Sequence, residues 1–399
     1  MNSDRQQEPD YRPETNAIRI RTPRTAEKEH SSPLYLTSSF CYDDAEEMRA
    51  AFADEIDANI YSRFSNPTAD EFVKRMCSLE GAEAGYATAS GMSAVFSAFM
   101  ALLKTGDHLL SGNAIFGSTH TVISKYLPKW GIESTYFDLN HPELLESLIR
   151  PNTRMIFLET PSNPGLDIID LEKVSAVAQK HGIILCVDNC FASPALQQPI
   201  RQGADLVLHS ATKWIDGQGR VLGGIVLGRE ALVHEIYLFC RSTGPAISPF
   251  NAWLLSRSLE TLHVRMERHS QNALRLAQAL QGNPQLTSVR YPFLESHPQY
   301  EIARRQMSAG GGIVCFDLKG GVEQGRRFLD ALKLLSLTAN LGDTRSIASH
   351  PSSTTHAKLS EEERQAVGIT PGLIRISVGL EAFEDILQDI VQALEASAG

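Results

Sequence analysis

Two short strings hold residue types suited to carbonyl chemistry. Val187-Asp188-Asn189 closes the apolar run Gly182-Ile183-Ile184-Leu185-Cys186, and Ser210-Ala211-Thr212-Lys213 follows the run Leu206-Val207-Leu208-His209. A carbonyl-bearing cofactor needs an amine to hold it, a carboxylate to keep a ring nitrogen protonated, and donors for a phosphate. Lys213, Asp188 and the hydroxyls of Ser210 and Thr212 supply one of each kind. Alone, the aspartate would read as a helix cap and the lysine as a surface charge. At the carboxyl ends of neighbouring parallel strands, they can face one crevice.

A phosphate also favours the positive end of a helix and a close backbone approach. Ala89-Ser90-Gly91-Met92-Ser93-Ala94 lies between a strand pattern and an amphipathic helix, and Gly91 admits an anion where a side chain would collide. The cluster Gly217-Gln218-Gly219-Arg220-Val221-Leu222-Gly223 has the wrong spacing for a dinucleotide fingerprint and follows no first strand of a βαβ unit. A nicotinamide cofactor is therefore rejected. Tyr61-Ser62-Arg63-Phe64-Ser65-Asn66-Pro67-Thr68 concentrates a phenol, a guanidinium and a turn. Arg63 suits bidentate phosphate binding, with Tyr61 donating beside it.

These residues need a frame. Short β-rich runs at Gly85–Thr88, His108–Ser111, Glu133–Phe137, Met155–Glu159, Ile184–Asp188, Leu206–His209 and Gly224–Leu227 alternate with helical stretches. That alternation predicts βαβ units and a mostly parallel sheet covered on both faces. Asp170 and Gly182 bracket a helix over Leu171–His181 as N-cap and stop signal. A long helical region follows Pro249 and stops at Gly282-Asn283-Pro284. Beyond it, strands at Gly311–Leu318 and Leu373–Val378 and helices at Glu323–Leu334 and Phe383–Ala396 predict a smaller α+β unit. The expected division is an irregular N-terminal arm over 1–59, a cofactor-binding α/β domain over 60–250, and a C-terminal α+β domain with its connecting helix over 251–399.

The composition agrees with a globular enzyme of two domains: 399 residues, 42% of them apolar. A formal net charge of −10 gives no basic field for nucleic acid or anionic lipid. No run reaches the roughly 18 unbroken apolar residues of a membrane span, and Met1–Asp10 is polar, so a cytoplasmic location is expected. The six cysteines include no C-x-x-C pair, which predicts buried thiols, with neither disulfides nor a metal site. Cys186, Asp188 and Cys190 share a strand face by period two, with the cysteines as small packing residues around the cofactor.

In order along the chain, the segments Tyr61–Thr68, Ser90–Ala94, Phe116–Thr119, Thr160–Pro164, Val187–Asn189, His209–Lys213 and Ile374–Glu381 resemble the motifs of the cystathionine γ-synthase family, fold-type I enzymes of pyridoxal 5′-phosphate. The likeness runs from about Pro33 to the C-terminus. It implies an arm, a large α/β domain with a mostly parallel sheet, a smaller C-terminal domain, and a homotetramer of two catalytic dimers. It further implies Lys213 as the Schiff-base lysine, Asp188 paired to the pyridine nitrogen, and Asn163 near the phenolic oxygen. Ser90, Gly91, Met92, Ser210 and Thr212 would surround the phosphate, Tyr61 and Arg63 would reach it from the neighbouring subunit, and Arg375 would clamp the substrate carboxylate.

Two positions depart from the family pattern. Phe116 stands where tyrosine is common, so stacking over the cofactor survives without the hydroxyl that would accept a substrate amine proton. Asn340 stands where serine is common and can still hydrogen-bond a carboxylate. Both segments are similar to the homoserine-ester sulfhydrylase branch. The expected reaction is γ-replacement on O-succinyl-L-homoserine by sulfide, giving L-homocysteine and succinate for methionine biosynthesis. Other choices within the family are cysteine as nucleophile, the acetyl ester, or γ-elimination; outside it, a non-catalytic binding protein would need neither Lys213 nor Arg375. His120, His209, His350 and His356 read as structural, because Lys213 already fills the general-base role.

Overall fold

The computed structural model describes residues 11–354, 361, 364 and 368–398. His356 lies outside the described residues. The apolar runs form a seven-stranded sheet from β1 (Ala84–Thr88), β2 (His108–Gly112), β3 (Glu133–Phe137), β4 (Thr153–Glu159), β5 (Ile184–Asp188), β6 (Leu206–Ser210) and β7 (Gly224–Gly228). Their spatial order is β1-β7-β6-β5-β4-β2-β3, and only β7 runs against its neighbours. The sheet is therefore mostly parallel, as the alternation predicts.

Alternation along each strand sorts its side chains between two apolar layers. Met155, Phe157, Cys186, Leu206 and Leu208 pack with residues of the helices Gly91–Leu102 and Glu230–Thr243. Ile156, Leu158, Leu185, Val187 and Val207 face the opposite layer, which includes Leu171, Val174 and Ala178. Each fully buried side chain of this kind contributes about 1.5–3 kcal/mol relative to exposure. The helix Leu171–His181 has the expected ends: Asp170 accepts from the Lys173 N–H, and Gly182 adopts the left-handed conformation. Period two then carries each strand's last residue onto a defined face. Glu159 and Asp188 continue the Phe157 and Cys186 face, towards the helix Gly91–Leu102.

The second sheet contains β8 (Leu286–Arg290), β9 (Ile313–Leu318), β10 (Ser336–Leu337), β11 (Ile347–Ser349) and β12 (Leu373–Ser377), in the order β10-β11-β12-β9-β8. Helices Leu262–Leu280, Gly321–Ala331 and Phe383–Ser397 supply its apolar cover. Sequence pattern alone predicts β9 and β12, whose residues are all buried. It misses β8, β10 and β11, which are partly exposed or only two or three residues long.

Two further readings change. The helical region after Pro249 is two helices, Pro249–Leu259 and Leu262–Leu280, interrupted at Glu260-Thr261. No proline or glycine breaks it. The buried Arg265 guanidinium instead donates to the Ser258 carbonyl, while also holding the carbonyls of Trp214 and Ile215 beside Lys213. The arm is also less irregular than expected, with helices at Pro13–Arg19 and Ala45–Phe52, the second capped by Asp44. It is fastened where Thr22 N–H donates to Glu71 and Arg75 donates to the Ala17 carbonyl.

Candidate active site

The carboxyl ends of β4, β5 and β6 open on the same edge as the start of antiparallel β7, because Ser210 is the register partner of Gly224. A cavity of about 250 Å³ lies there. Ser90, Gly91, Met92, Phe116, Asn163, Asp188, Ser210, Thr212, Lys213 and Arg375 all line it. Cys190, expected as a packing residue around the cofactor, lines it too, and so does Glu159, which the sequence reading did not single out. Asn340 stands just behind, between lining residues Ala339 and Leu341.

The amine is held ready by its neighbours. Lys213 Nζ donates to Asn340 Oδ1 at 2.6 Å. Burial, with the Arg375 cation adding to it, lowers the Lys213 pKa from its ordinary value. A buried lysine with a depressed pKa is the form suited to nucleophilic attack on a carbonyl. Arg375 Nη1 donates to Asn163 Oδ1 at 3.2 Å and Nη2 to the Asn340 carbonyl at 3.4 Å, which fixes the plane of the guanidinium.

Beneath them sit two acids. Asp188 accepts the Cys190 N–H at 3.0 Å, and Cys190 Sγ in turn accepts the Ser210 N–H at 2.8 Å. Glu159 Oε2 accepts the Phe116 N–H at 2.8 Å, tying the phenyl ring's backbone to the strand end. Burial raises both carboxyl pKa values, and the Asp188 charge raises Glu159 further. Adjacent strands lie about 5 Å apart, and two unit charges at that spacing repel by on the order of 3 kcal/mol at an effective dielectric of 20. Behind this pair, His209 Nε2 meets Glu80 Oε1 at 2.6 Å, and the Asn189 amide donates to the same oxygen.

The helix Gly91–Leu102 points its first turn at the cavity. Ser90 accepts only the Ser93 N–H of that turn, so the N–H groups of Gly91 and Met92 stay open to an anion. Space is tight: a Cβ on Gly91 would lie 2.7 Å from Ser210 Cβ, and one on Gly224 would lie 2.1 Å from the Ser90 carbonyl oxygen. The glycines are therefore required by close approach. Thr212 Oγ1 is fixed at 3.2 Å by the Gly223 N–H.

Tyr61 and Arg63 are not brought to this cavity. They line a separate concavity with Leu36, Thr37 and Gly244, and Tyr61 is 41% exposed. Among the histidines, His350 bonds Ser353 and the Pro371 carbonyl, and the His120 ring lies against Tyr136. The described residues contain no group of acids, cysteines and histidines able to hold a metal ion, and no helix long and apolar enough to cross a membrane.

A half-buried amine, a buried acid, an open helix N-terminus and an aromatic ring around one cavity fit pyridoxal phosphate. The fold and site define a fold-type I pyridoxal-phosphate enzyme. Residues 14–395 match the Cys/Met metabolism PLP-dependent enzymes, and the chain belongs to that family. An O-succinylhomoserine sulfhydrylase of Pseudomonas aeruginosa is 46% identical over 96% of this chain and 95% of its own. An L-methionine gamma-lyase of Pseudomonas putida is 45% identical, covering 92% of each chain. A Campylobacter jejuni structure assigned as an O-acetylhomoserine (thiol)-lyase, carrying N′-pyridoxyl-lysine-5′-monophosphate, is similar at a TM-score of 0.93. It is 36% identical, and the match covers 96% of this chain and 100% of that one.

Proposed function

We propose that this chain catalyses γ-replacement on O-succinyl-L-homoserine with sulfide, forming L-homocysteine and succinate. The observation that carries the reading is Phe116, whose ring lines the cavity where a phenol would otherwise supply a proton acceptor. When bound, the cofactor supplies an electron sink for the charge that develops at the substrate carbons. Lys213 would hold the cofactor, and its amine would serve as the base that moves protons at the substrate Cα and Cβ. Asp188 would supply the carboxylate that keeps the ring nitrogen protonated. Arg375, steadied by Asn163 and Asn340, clamps the substrate carboxylate. The Cγ–O bond breaks with departure of succinate, and a Cγ–S bond forms with the thiol.

The N-terminal turn of Gly91–Leu102, with Ser210 and Thr212, binds the phosphate. Tyr61 and Arg63 complete that site from a neighbouring subunit, in a catalytic dimer that pairs into a cytoplasmic homotetramer. A second reading, γ-elimination, is favoured by the similarity to the Pseudomonas putida lyase. Steady-state kinetics on O-succinylhomoserine with sulfide, with cysteine and with no thiol separates the choices. Sulfide should give the highest kcat/KM, with slow keto-acid release in its absence. A higher value with cysteine would assign a cystathionine synthase, and equal keto-acid release without thiol would assign a lyase. The acetyl ester, run in parallel, tests the leaving group.

A further inference from the structure

Glu159 and Asp188 are register partners on adjacent parallel strands, so both side chains leave the sheet on one face. They are 2% and 8% exposed and both line the cavity. Their surroundings are unequal. Asp188 accepts the Cys190 N–H and is drawn towards His209 and Lys213. Glu159 accepts one neutral donor, the Phe116 N–H, and its cation is Arg375, already engaged with Asn163 and Asn340. Two buried carboxyl groups that face one cavity from adjacent strands disfavour each other's ionisation.

We infer that Glu159 is a positioning residue that works as a neutral acid, anchoring Phe116 at the cavity and leaving the single negative charge to Asp188. An ionised Glu159 would place a second anion beside Asp188 and compete with the substrate carboxylate for Arg375. The neutral acid avoids both while keeping its acceptor for the Phe116 N–H. Burial and the Asp188 charge hold Glu159 well above the carboxylate range, whereas the Cys190 hydrogen bonds restrain the rise at Asp188. The inference does not depend on which thiol the enzyme accepts.

The test compares the cofactor-loaded parent with Glu159→Gln and Glu159→Ala. Glutamine copies the neutral acid in shape and retains the acceptor. It should bind pyridoxal phosphate within about threefold of the parent, measured by absorbance after dialysis, whereas alanine should bind about tenfold or more weakly. The infrared spectrum of the loaded parent should contain a protonated-carboxyl stretch that Glu159→Gln removes. Glutamine as damaging as alanine would overturn the inference, as would a protonated-carboxyl band unchanged by Glu159→Gln. Should alanine fail to fold, the glutamine variant and its infrared band decide alone.

Discussion

The cavity at the strand ends and the Tyr61–Thr68 segment carry comparable chemistry but sit in different company. Lys213, Asp188 and Arg375 converge because Asp188 ends and Arg375 lies on a strand whose register is set by a buried face, while Lys213 sits in the turn just after β6. Tyr61 and Arg63 precede the sheet and line a concavity separate from the strand-end cavity. Arg63 instead donates to the Arg241 carbonyl and stacks over Phe64. Sheet geometry thus gathers the first group, while the second, in the function proposed above, acts from another chain.

The sharpest way to break this contrast is Lys213→Ala, which removes the group proposed both to capture the cofactor and to act as the base. Turnover should fall by about 10²–10⁴-fold from the general-base contribution alone. Retention of near-parental turnover would show that the cavity is not the reacting site. Next comes Arg63→Ala, expected to weaken cofactor binding roughly tenfold to hundredfold through a lost charge-assisted phosphate contact. Mixed with Lys213→Ala subunits, it should regain up to about a quarter of the parental activity, because a two-fold hybrid restores one native site. Inactive hybrids, shown by mass to be mixed, would remove the second chain from the argument.

The smallest expected effect concerns pH. The Lys213 pKa is lowered from 10.5, so its amine becomes neutral, and therefore reactive, at lower pH than an ordinary lysine. Capture of pyridoxal phosphate by the cofactor-free protein should rise with pH and level off below the usual lysine range. Arg375→Leu removes a repelling cation and should move that rise to higher pH. A profile that stays in place would assign the shift to burial alone.

Legibility followed the strength of the local pattern. The seven strands of the large sheet, the helix bracketed by Asp170 and Gly182, and the fully buried β9 and β12 announce themselves through apolar runs and their end signals. The edge strands β8 and β10 do not, since exposed or very short segments have no face to conceal. Glu159 was within reach: like Asp188, it is an acid closing a buried apolar strand. Nothing in the one-dimensional pattern marked Cys190 as a partner of both Asp188 and the Ser210 N–H.

From the sequence by itself came the sheet, the strand-end position of Asp188, Lys213 shortly after a strand, and the glycine beside Ser90, because periodicity and backbone sterics act over a few residues. Only the tertiary structure decided that Glu159 lies opposite Asp188, that Asn340 receives the Lys213 amine, and that Tyr61 and Arg63 stand apart. Those relations join residues far apart in the chain. They depend on strand register, burial and the path of the arm, which arise when the two sheets and their helices pack together.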